Sequence, residues 1–436
     1  MSPHVACFGT LDTKGAEYEF VRDELRHAGC DVILVDTGVL GRPATDADID
    51  RAEVARAGGS TLDALAASGD RADAITAMAA GAARTARVLL AEGRLDAAFG
   101  LGGSNGATIL AEVAAALPVG VPKVLVSTIA AGETAPYVRG TDLTLIYPVV
   151  DIAGLNRVSR PVLENAAAAT AGMAHRAARR RTESPPDPHA RPIVAASMFG
   201  VTTPGVDALR HRLTELGYEV LVFHATGVGG TSMEALIRSG LIAAVADLTT
   251  TELADELLGG VCSAGPDRLT AAAQQGIPQI VSVGALDMVN FGPANTVPPA
   301  YADRTLYRHN DNVTLMRTNS DECGALGRII GARLSGASAP VTVFLPTGGV
   351  SMLSVPGAPF HDPSADDALF AAIEDSSGPP VQVRRVAADI NDQTLAHTMA
   401  DELHAMVRSA AATARRTERS EAPQHPTDGP EEPHRR

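Results

Sequence analysis

The sequence predicts an α/β protein with two domains, each a mostly parallel sheet flanked by helices. Short runs of β-branched and apolar residues alternate with longer stretches rich in Ala and Leu, a rhythm typical of βαβ units. The rhythm stops and restarts around a charged, Pro-rich stretch, RRRTESPPDPHARP. The chain has 436 residues, of which 45% are hydrophobic and only 3% aromatic. That length suffices for two or three full cores, and small aliphatic side chains suit helices packed on a parallel sheet.

The first half contains five candidate strands, VACFG, DVILVD, AAFGL, KVLVS and LTLIYPV. Apolar residues have helical spacing over residues 14–28 and 71–92, and an Ala-rich stretch covers 160–181. The Pro-rich stretch that follows has the composition of an exposed linker. We therefore predict a first domain over 1–181 and a linker over 182–192.

The second half contains six candidate strands, IVAASMFG, EVLVFHA, IAAVADL, QIVSVG, VTLMRT and VTVFLP. They predict a second domain over 193–415. Its loop TGVGGTSMEAL resembles GLGGSNGATIL of the first half, which suggests that the halves are distant structural repeats. Residues 416–436 are polar and Pro-rich with no apolar face, so we predict a disordered tail.

Charge and cysteine usage exclude several classes of function. The net charge is −15, which opposes binding to the phosphate backbone of nucleic acids. The four cysteines are scattered without paired spacing, as in a reduced compartment without a zinc cluster. Neither a secretory leader nor a long uncharged apolar run is evident. We expect a cytoplasmic protein with no membrane or nucleic-acid partner.

The loop after the first strand, FGTLDTKG, carries the first candidate site residues. Ligands of open parallel sheets bind beyond the carboxyl ends of the strands. Lys14 can neutralise a phosphate, Thr10 and Thr13 can donate hydrogen bonds, and Asp12 can help to hold Mg²⁺. The alternative is that Asp12 or Thr13 caps the next helix.

A glycine-rich stretch, FGLGGSNGATIL, lies between a candidate strand and a candidate helix. Bare main-chain N–H groups at a helix N-terminus favour phosphate, although an ordinary tight turn has the same composition. The same stretch matches GxSxG, which makes Ser104 an alternative nucleophile. Asp36 ends the second strand, where an acid either binds a ribose hydroxyl or shapes the turn. Ser127 and Thr128 follow the fourth strand, and Asp151 follows the fifth.

The second half offers candidate acids and bases. The stretch DLTTTELADELLGG places Glu252 and Asp255 after a strand, although Thr249 and Glu252 also have the spacing of a capping box. His309 in RHNDN can shuttle a proton, or can serve as a structural hydrogen-bonding residue. We predict Glu252, Asp255 and His309 as catalytic candidates.

Eight motifs in this order resemble an uncharacterised family that includes the ATP-binding N-terminal domain of the tomato resistance protein against tomato mosaic virus. They are GTLDTKG, GLGGSNGAT, STIAAG, TTTELADELLGGV, AGPDRL, GALDMVNFGP, HNDNVTLMRT and GGVSMLSVPGAPFHDPSAD. The likeness extends from about His4 to about Met406. It implies two Rossmann-like domains, ATP in the first domain, and a homodimer.

The resemblance also assigns nucleotide-binding residues. They are Gly9, Thr10, Asp12, Thr13, Lys14, Gly102, Gly103, Ser104, Gly106, Ser127 and Thr128. The family usually reads GGSGGT where this chain reads GGSNGA, so Asn105 and Ala107 depart from the pattern. Thr108 is a candidate replacement for the missing threonine hydroxyl.

Two functions follow as hypotheses. The first is an enzyme, an ATP-dependent ligase or phosphotransferase, which uses ATP and Mg²⁺ on a small organic substrate held between the domains. The second is a nucleotide-binding regulatory or interaction module without turnover.

Overall fold

A computed structural model describes residues 2–183 and 190–421 and contains two parallel sheets, one in each half of the chain. The first sheet has the strands β1 (His4–Gly9), β2 (Asp31–Asp36), β3 (Ala97–Leu101), β4 (Lys123–Val126) and β5 (Thr144–Ile146). Its helices are α1 (Leu11–His27), α2 (Arg51–Ala57), α3 (Leu62–Ser68), α4 (Arg71–Ala91), α5 (Ser104–Ala116), α6 (Ala135–Val138) and α7 (Ser159–Glu183).

The second half carries a larger parallel sheet and a small antiparallel one. Its strands are β6 (Ile193–Met198), β7 (Glu219–His224), β8 (Ala244–Thr249), β9 (Gln279–Gly284), β10 (Met288–Phe291), β11 (Leu306–Asn310), β12 (Val313–Arg317), β13 (Val341–Pro346) and β14 (Val381–Val386). Its helices are α8 (Thr203–Glu215), α9 (Val228–Arg238), α10 (Glu252–Leu258), α11 (Ala271–Gln275), α12 (Ser320–Leu334), α13 (Pro363–Ser376) and α14 (Gln393–Glu421).

The two parallel sheets share one strand order. The first sheet has the order β2-β1-β3-β4-β5, and the second, read from its β7 edge, has the order β7-β6-β8-β9-β13-β14. Every neighbouring pair in both sheets is parallel. The α/β class with two mostly parallel, helix-flanked sheets is therefore confirmed.

The glycine-rich loops that suggested a repeat occupy different places in the two halves. GLGGSNGATIL follows β3, whereas TGVGGTSMEAL follows β7, which corresponds to β2 in the shared strand order. The comparison of these two loops was therefore wrong, because they leave non-equivalent strands. The predicted strand VTLMRT also differs, since β12 pairs antiparallel with β10 and β11 outside the parallel sheet.

The predicted linker and tail fall partly outside the described residues. Helix α7 ends at Glu183, β6 begins at Ile193, and residues 184–189 are not described. Helix α14 extends to Glu421, so the first residues of the predicted tail are helical. Residues 422–436 lie outside the described part of the chain.

Alternate residues of β1 face two separate cores. Ala6 and Phe8 pack with α4 and α5 on one face, whereas Val5 and Cys7 pack with α1 and α7 on the other. This alternation follows from the two-residue period of a strand, and both faces are covered, as a parallel sheet requires. Helix α1 therefore leaves β1 toward one face of the sheet, and α5 leaves β3 toward the opposite face.

Helix α4 packs directly on the backbone of α2 through glycine. A Cβ atom at Gly81 would lie 2.0 Å from the Val54 carbonyl oxygen, and one at Gly58 would lie 2.2 Å from the Ala77 carbonyl oxygen. Only glycine permits this approach, which sets the distance between α2 and α4.

Gly81→Ala should therefore destabilise the protein by roughly 1–3 kcal/mol, because the added methyl group overlaps a backbone carbonyl that side-chain rotation cannot move. Gly172→Ala in α7 is the matched control, because within the described residues a Cβ at Gly172 meets no atom within 4 Å. The control should raise the free energy of unfolding by about 0.5–1 kcal/mol through helix propensity. Urea unfolding of both variants measures the difference, and equal effects would contradict the packing argument.

Candidate functional site

A cleft of the first domain lies at the carboxyl ends of β1 and β3. Its volume is about 680 Å³, within the range of about 300–1,000 Å³ that is common for ligand pockets. The connections after these neighbouring strands leave toward opposite faces, and an open α/β sheet forms a crevice at such a point. The lining comes from the loops after β1, β2, β3 and β5 and from α3, α4 and α5.

The glycine-rich loop brings the N-terminus of α5 to this cleft. Gly102 has φ +145°, a conformation that favours glycine, and Gly103 is the N-cap residue. Within the described ranges, no side chain caps α5, whereas Asp50, Thr61 and Asp70 cap α2, α3 and α4. The first N–H groups of α5 therefore remain open at the cleft.

Gly103 and Gly106 differ in what a side chain at each position would contact. A Cβ atom at Gly106 would lie 2.9 Å from the Leu101 carbonyl oxygen, so the fold itself restricts this position. Gly103 has φ −76° and is exposed, and a Cβ atom there would meet no atom within 4 Å in the described part of the chain. The backbone does not require glycine at position 103, and the absence of a side chain leaves the helix terminus accessible.

The loop after β1 lies across the cleft from α5. Thr10 is the N-cap residue of α1, and the hydroxyl groups of Thr10 and Thr13 lie 2.8 Å apart. Lys14 interrupts the helical backbone with φ −126° and ψ 18°, and its ammonium group donates to the Ile152 carbonyl oxygen. Thr10, Asp12, Thr13 and Lys14 all line the cleft. Within the described residues, neither Asp12 nor Thr13 caps α1.

Asp36 does not line the cleft, and its carboxylate holds the neighbouring loop instead. One carboxylate oxygen accepts from the N–H groups of Leu11 (3.2 Å) and Gly38 (2.9 Å). The other pairs with the Arg51 guanidinium at 2.7 Å. Asp36 is 1% exposed, so these contacts replace the ribose contact expected from the sequence.

Four other predicted residues lie behind or beside the cleft. Gly9 is glycine because a Cβ atom there would lie 2.0 Å from the Tyr18 ring. Thr108 donates its hydroxyl to the Ser104 carbonyl oxygen one turn earlier in α5. Ser127 is buried and caps a short 3-10 helix that begins at Thr128. None of the four belongs to the lining formed by the described residues.

The sequence analysis missed one wall of the cleft. This wall is apolar and consists of side chains from α3, α4 and α5, namely Leu65, Ala66, Ala74, Ile75, Met78 and Ile109. Arg71 lies at its edge, and in the amide orientation that satisfies both groups its guanidinium donates to Asn105 Oδ1 at 2.5 and 3.1 Å. The helical period of 71–92 was the available signal, but it does not show which face borders a ligand.

Ser104 does not have the surroundings of a nucleophile. It is exposed in the first turn of α5. Among the hydrogen bonds of the described chain, none joins its hydroxyl to a histidine. Ser104 of the GxSxG match therefore lacks the base that activates a serine nucleophile.

Glu252 is buried in an ionic network of the second domain. Its carboxylate accepts from the N–H groups of Gly227 (2.8 Å) and Gly230 (3.0 Å) at the start of α9 and pairs with Arg268 at 2.7 Å. Asp247 and Glu234 also pair with the fully buried Arg268. Burial raises the pKa of Glu252, and Arg268 lowers it. This carboxylate connects α9 and α10, and the capping box expected with Thr249 does not form.

The structure does not place Asp255 and His309 in one catalytic site either. Asp255 accepts from the N–H groups of Cys262 (3.0 Å) and Asn290 (3.2 Å) and from the Asn290 amide (2.8 Å). Burial outweighs these donors and raises the pKa of Asp255 to about 7. Asp255 is 0% exposed, whereas His309 is exposed on β11. The structure therefore does not bring the three predicted catalytic residues together at an open surface.

Metal ligation and membrane insertion find little support in the side chains that the structure describes. Among these residues, no group of three or more His, Cys, Asp or Glu side chains is placed to hold a metal ion, so Asp12 belongs to no such group. Within the same residues, α4 alone is long and apolar enough to cross a membrane, but 50% of its most apolar window is buried, as in a core helix.

The comparisons with known proteins cover nearly the whole chain. Residues 3–179 match the N-terminal domain, and residues 191–407 the C-terminal domain, of the uncharacterised protein family UPF0261. A UPF0261 protein of Clostridium tetani is 45% identical over 92% of this chain and 98% of its own length. One of Mesorhizobium japonicum is 46% identical over 90% of this chain and 96% of its own.

A plant relative is longer than this chain. The ToMV resistance protein Tm-1 of Solanum lycopersicum is 39% identical over 92% of this chain but only 55% of its own length. A solved structure of UDP-N-acetylglucosamine 2-epimerase covers 64% of this chain and 79% of its own at 11% identity and a TM-score of 0.20, which transfers no function. On the two domain matches and the identities with these relatives, the chain belongs to the uncharacterised protein family UPF0261.

Proposed function

We propose that the first domain binds ATP in the cleft between β1 and β3. The open N-terminus of α5 carries this proposal, because its N–H groups and helix dipole favour an anionic group such as a phosphate. Lys14 supplies a positive charge on the other side of the cleft. The resemblance of both loops to the family that includes the ATP-binding N-terminal domain of the tomato resistance protein supports the same assignment.

The apolar wall supports a ligand with a flat apolar part. Leu65, Ala66 and Ile75 offer aliphatic surface, and a cleft of about 680 Å³ exceeds what a phosphate group alone would fill. A nucleoside triphosphate combines a base for this wall with phosphates for α5. The residues present therefore fit ATP.

We further propose that the protein is a nucleotide-binding regulatory or interaction module. The carboxylates expected to catalyse, Glu252 and Asp255, are committed to buried contacts that hold the second domain. The domains meet where Gly140 approaches Ser232 of α9, since a Cβ at Gly140 would lie 2.8 Å from the Ser232 Cα. Release of ADP or AMP that depends on a metabolite would contradict this proposal and favour the enzyme.

Gly103→Val is expected to weaken ATP binding at least about tenfold, or about 1.4 kcal/mol, because the side chain would occupy the approach to the α5 terminus. The backbone is not strained there, so the variant should fold. AMP should lose less affinity, since it lacks the outer phosphates. Isothermal titration calorimetry with circular dichroism measures both.

Gly200→Val is the matched control, because Gly200 is also exposed, lies shortly after the end of a parallel strand (β6) in the second domain, and would bring no Cβ within 4 Å of a described atom. It should bind ATP as the parent does. If a folded Gly103→Val protein bound ATP with parental affinity, the N-terminus of α5 would not be part of the ATP site.

Lys14→Met should lower ATP affinity through lost charge while it keeps most of the aliphatic stem. The loss should shrink as salt rises, because mobile ions screen the attraction between exposed charges. Calorimetric titrations in about 0.05 M and about 0.5 M NaCl measure this trend, with Lys14→Arg as the charge-conserving control. A loss that is independent of salt would show that Lys14 acts through its contact with Ile152 instead.

Asp255→Asn should remove a pH dependence of stability. The folded state keeps a proton on Asp255 up to about pH 7, whereas the unfolded carboxyl releases it near 3.8, so the parental free energy of unfolding contains a contribution that is lost as pH rises through this range. Asparagine has no such proton. Its amide can donate to Asn290 Oδ1, which lacks a hydrogen-bond partner among the described residues, once the Asn290 amide turns over.

Urea unfolding between about pH 5 and about pH 8 should give a flatter pH profile for this variant than for the parent. Parallel profiles would contradict the structural role of Asp255. Loss of metabolite-dependent ATP turnover with unchanged stability would restore its catalytic assignment.

A further inference from the structure

Thr37 places an unpartnered hydroxyl group in the cleft. The residue follows β2, and its N–H donates to the Gly9 carbonyl oxygen at 2.8 Å, which fixes the backbone. Thr37 belongs to the lining of the cleft although the residue is only 2% exposed. Among the residues that the structure describes, Thr37 Oγ1 has no hydrogen-bond partner. A buried hydroxyl without a partner is costly, so its retention at a ligand cleft points to a ligand group that pairs with it.

Asp12 presents a second unpartnered atom at the same loop. A Cβ atom at Gly38, the residue after Thr37, would lie 2.9 Å from the Asp12 carboxylate, so this carboxylate packs directly on the loop. Its Oδ1 is buried and has no hydrogen-bond partner in the described part of the chain. Burial raises the pKa of Asp12, Arg51 lowers it and Asp36 raises it. An ionised carboxylate only accepts hydrogen bonds, so the missing partner is a donor.

The two atoms together suit a ligand hydroxyl group. A threonine hydroxyl both donates and accepts, and a carboxylate accepts, so one sugar hydroxyl can accept from Thr37 while it donates to Asp12. The end of β2 is also where nucleotide-binding sheets hold a ribose. The sequence placed this role on Asp36, whose two oxygens are already engaged by Leu11, Gly38 and Arg51.

We infer that Thr37 and Asp12 read a ribose hydroxyl, so that the cleft selects ribonucleotides over deoxyribonucleotides. The inference rests on the proposed binding of ATP in this cleft and adds the group that sets the choice of sugar. A site built to bind a hydroxyl rejects the analogue that lacks it, because its own buried polar groups are then left without partners.

The experiment compares ATP, 2′-deoxy-ATP and 3′-deoxy-ATP by calorimetry on the parent, Thr37→Val and Thr37→Ser. The parent should bind ATP at least about tenfold more tightly than one of the two deoxy analogues. Thr37→Val should lose most of that preference by weakening ATP alone, and Thr37→Ser should keep it. Because Thr37 Oγ1 has no partner among the described residues, valine should leave the melting temperature unchanged or higher.

The outcomes separate this inference from the proposed function. Equal affinity of the parent for all three nucleotides would overturn the sugar selection and leave ATP binding intact. A preference that survives in Thr37→Val would remove Thr37 from the contact. Failure of the parent to bind any of the three would overturn both. If Thr37→Val does not fold, the nucleotide comparison on the parent still decides whether the sugar is read.

Discussion

The buried hydroxyl of Tyr18 holds together the ends of β1 and β3, where two loops of the cleft begin. It lies 2.5 Å from the Phe8 carbonyl oxygen at the end of β1 and accepts from the Leu101 N–H at 2.8 Å at the end of β3. These two strands are neighbours, and their following helices pack on opposite faces. One side chain thus ties both strand ends, and Gly9 lacks a side chain so that the Tyr18 ring fits. The positions of Lys14 and of the α5 terminus both depend on this contact.

The two halves share one strand order, but a helix N-terminus has a different role in each half. In the first half, the described residues leave the α5 terminus without a side-chain cap, so it faces the cleft. In the second half, the terminus of α9 receives the carboxylate of Glu252, which Arg268 neutralises from the other side. An internal anion thus takes the place that an external one is proposed to take in the first half. The preference of a helix N-terminus for an anion thus stabilises the second domain, and in the first domain it supports the proposed binding site.

Local patterns predicted all five strands of the first sheet and its helices α1, α4 and α7, because hydrophobic period is a local property. In the second half, β10, β11 and β14 were not predicted. The lining by Thr10 to Lys14 and Gly102 to Gly106 followed from strand order alone, since parallel strands end at one edge. The engagement of Asp36 by the loop and by Arg51, in place of a ligand, was not predictable. It depends on where Arg51, in a later helix, places its guanidinium. The antiparallel pairing of β12 could not be predicted, because the composition of a strand does not specify its pairing partner.

The ordinary backbone of Gly103 has a practical consequence for studies in solution. The position is exposed at the cleft and tolerates a Cβ atom within the described surroundings, so a cysteine can be introduced there as an attachment point. The native thiols compete poorly, since Cys7, Cys30 and Cys323 are buried and burial raises the pKa of Cys262 to about 12. A thiol-reactive dye would then react mainly at the cleft. A molecule bound in the cleft beforehand would slow this reaction, whatever the chemical identity of that molecule.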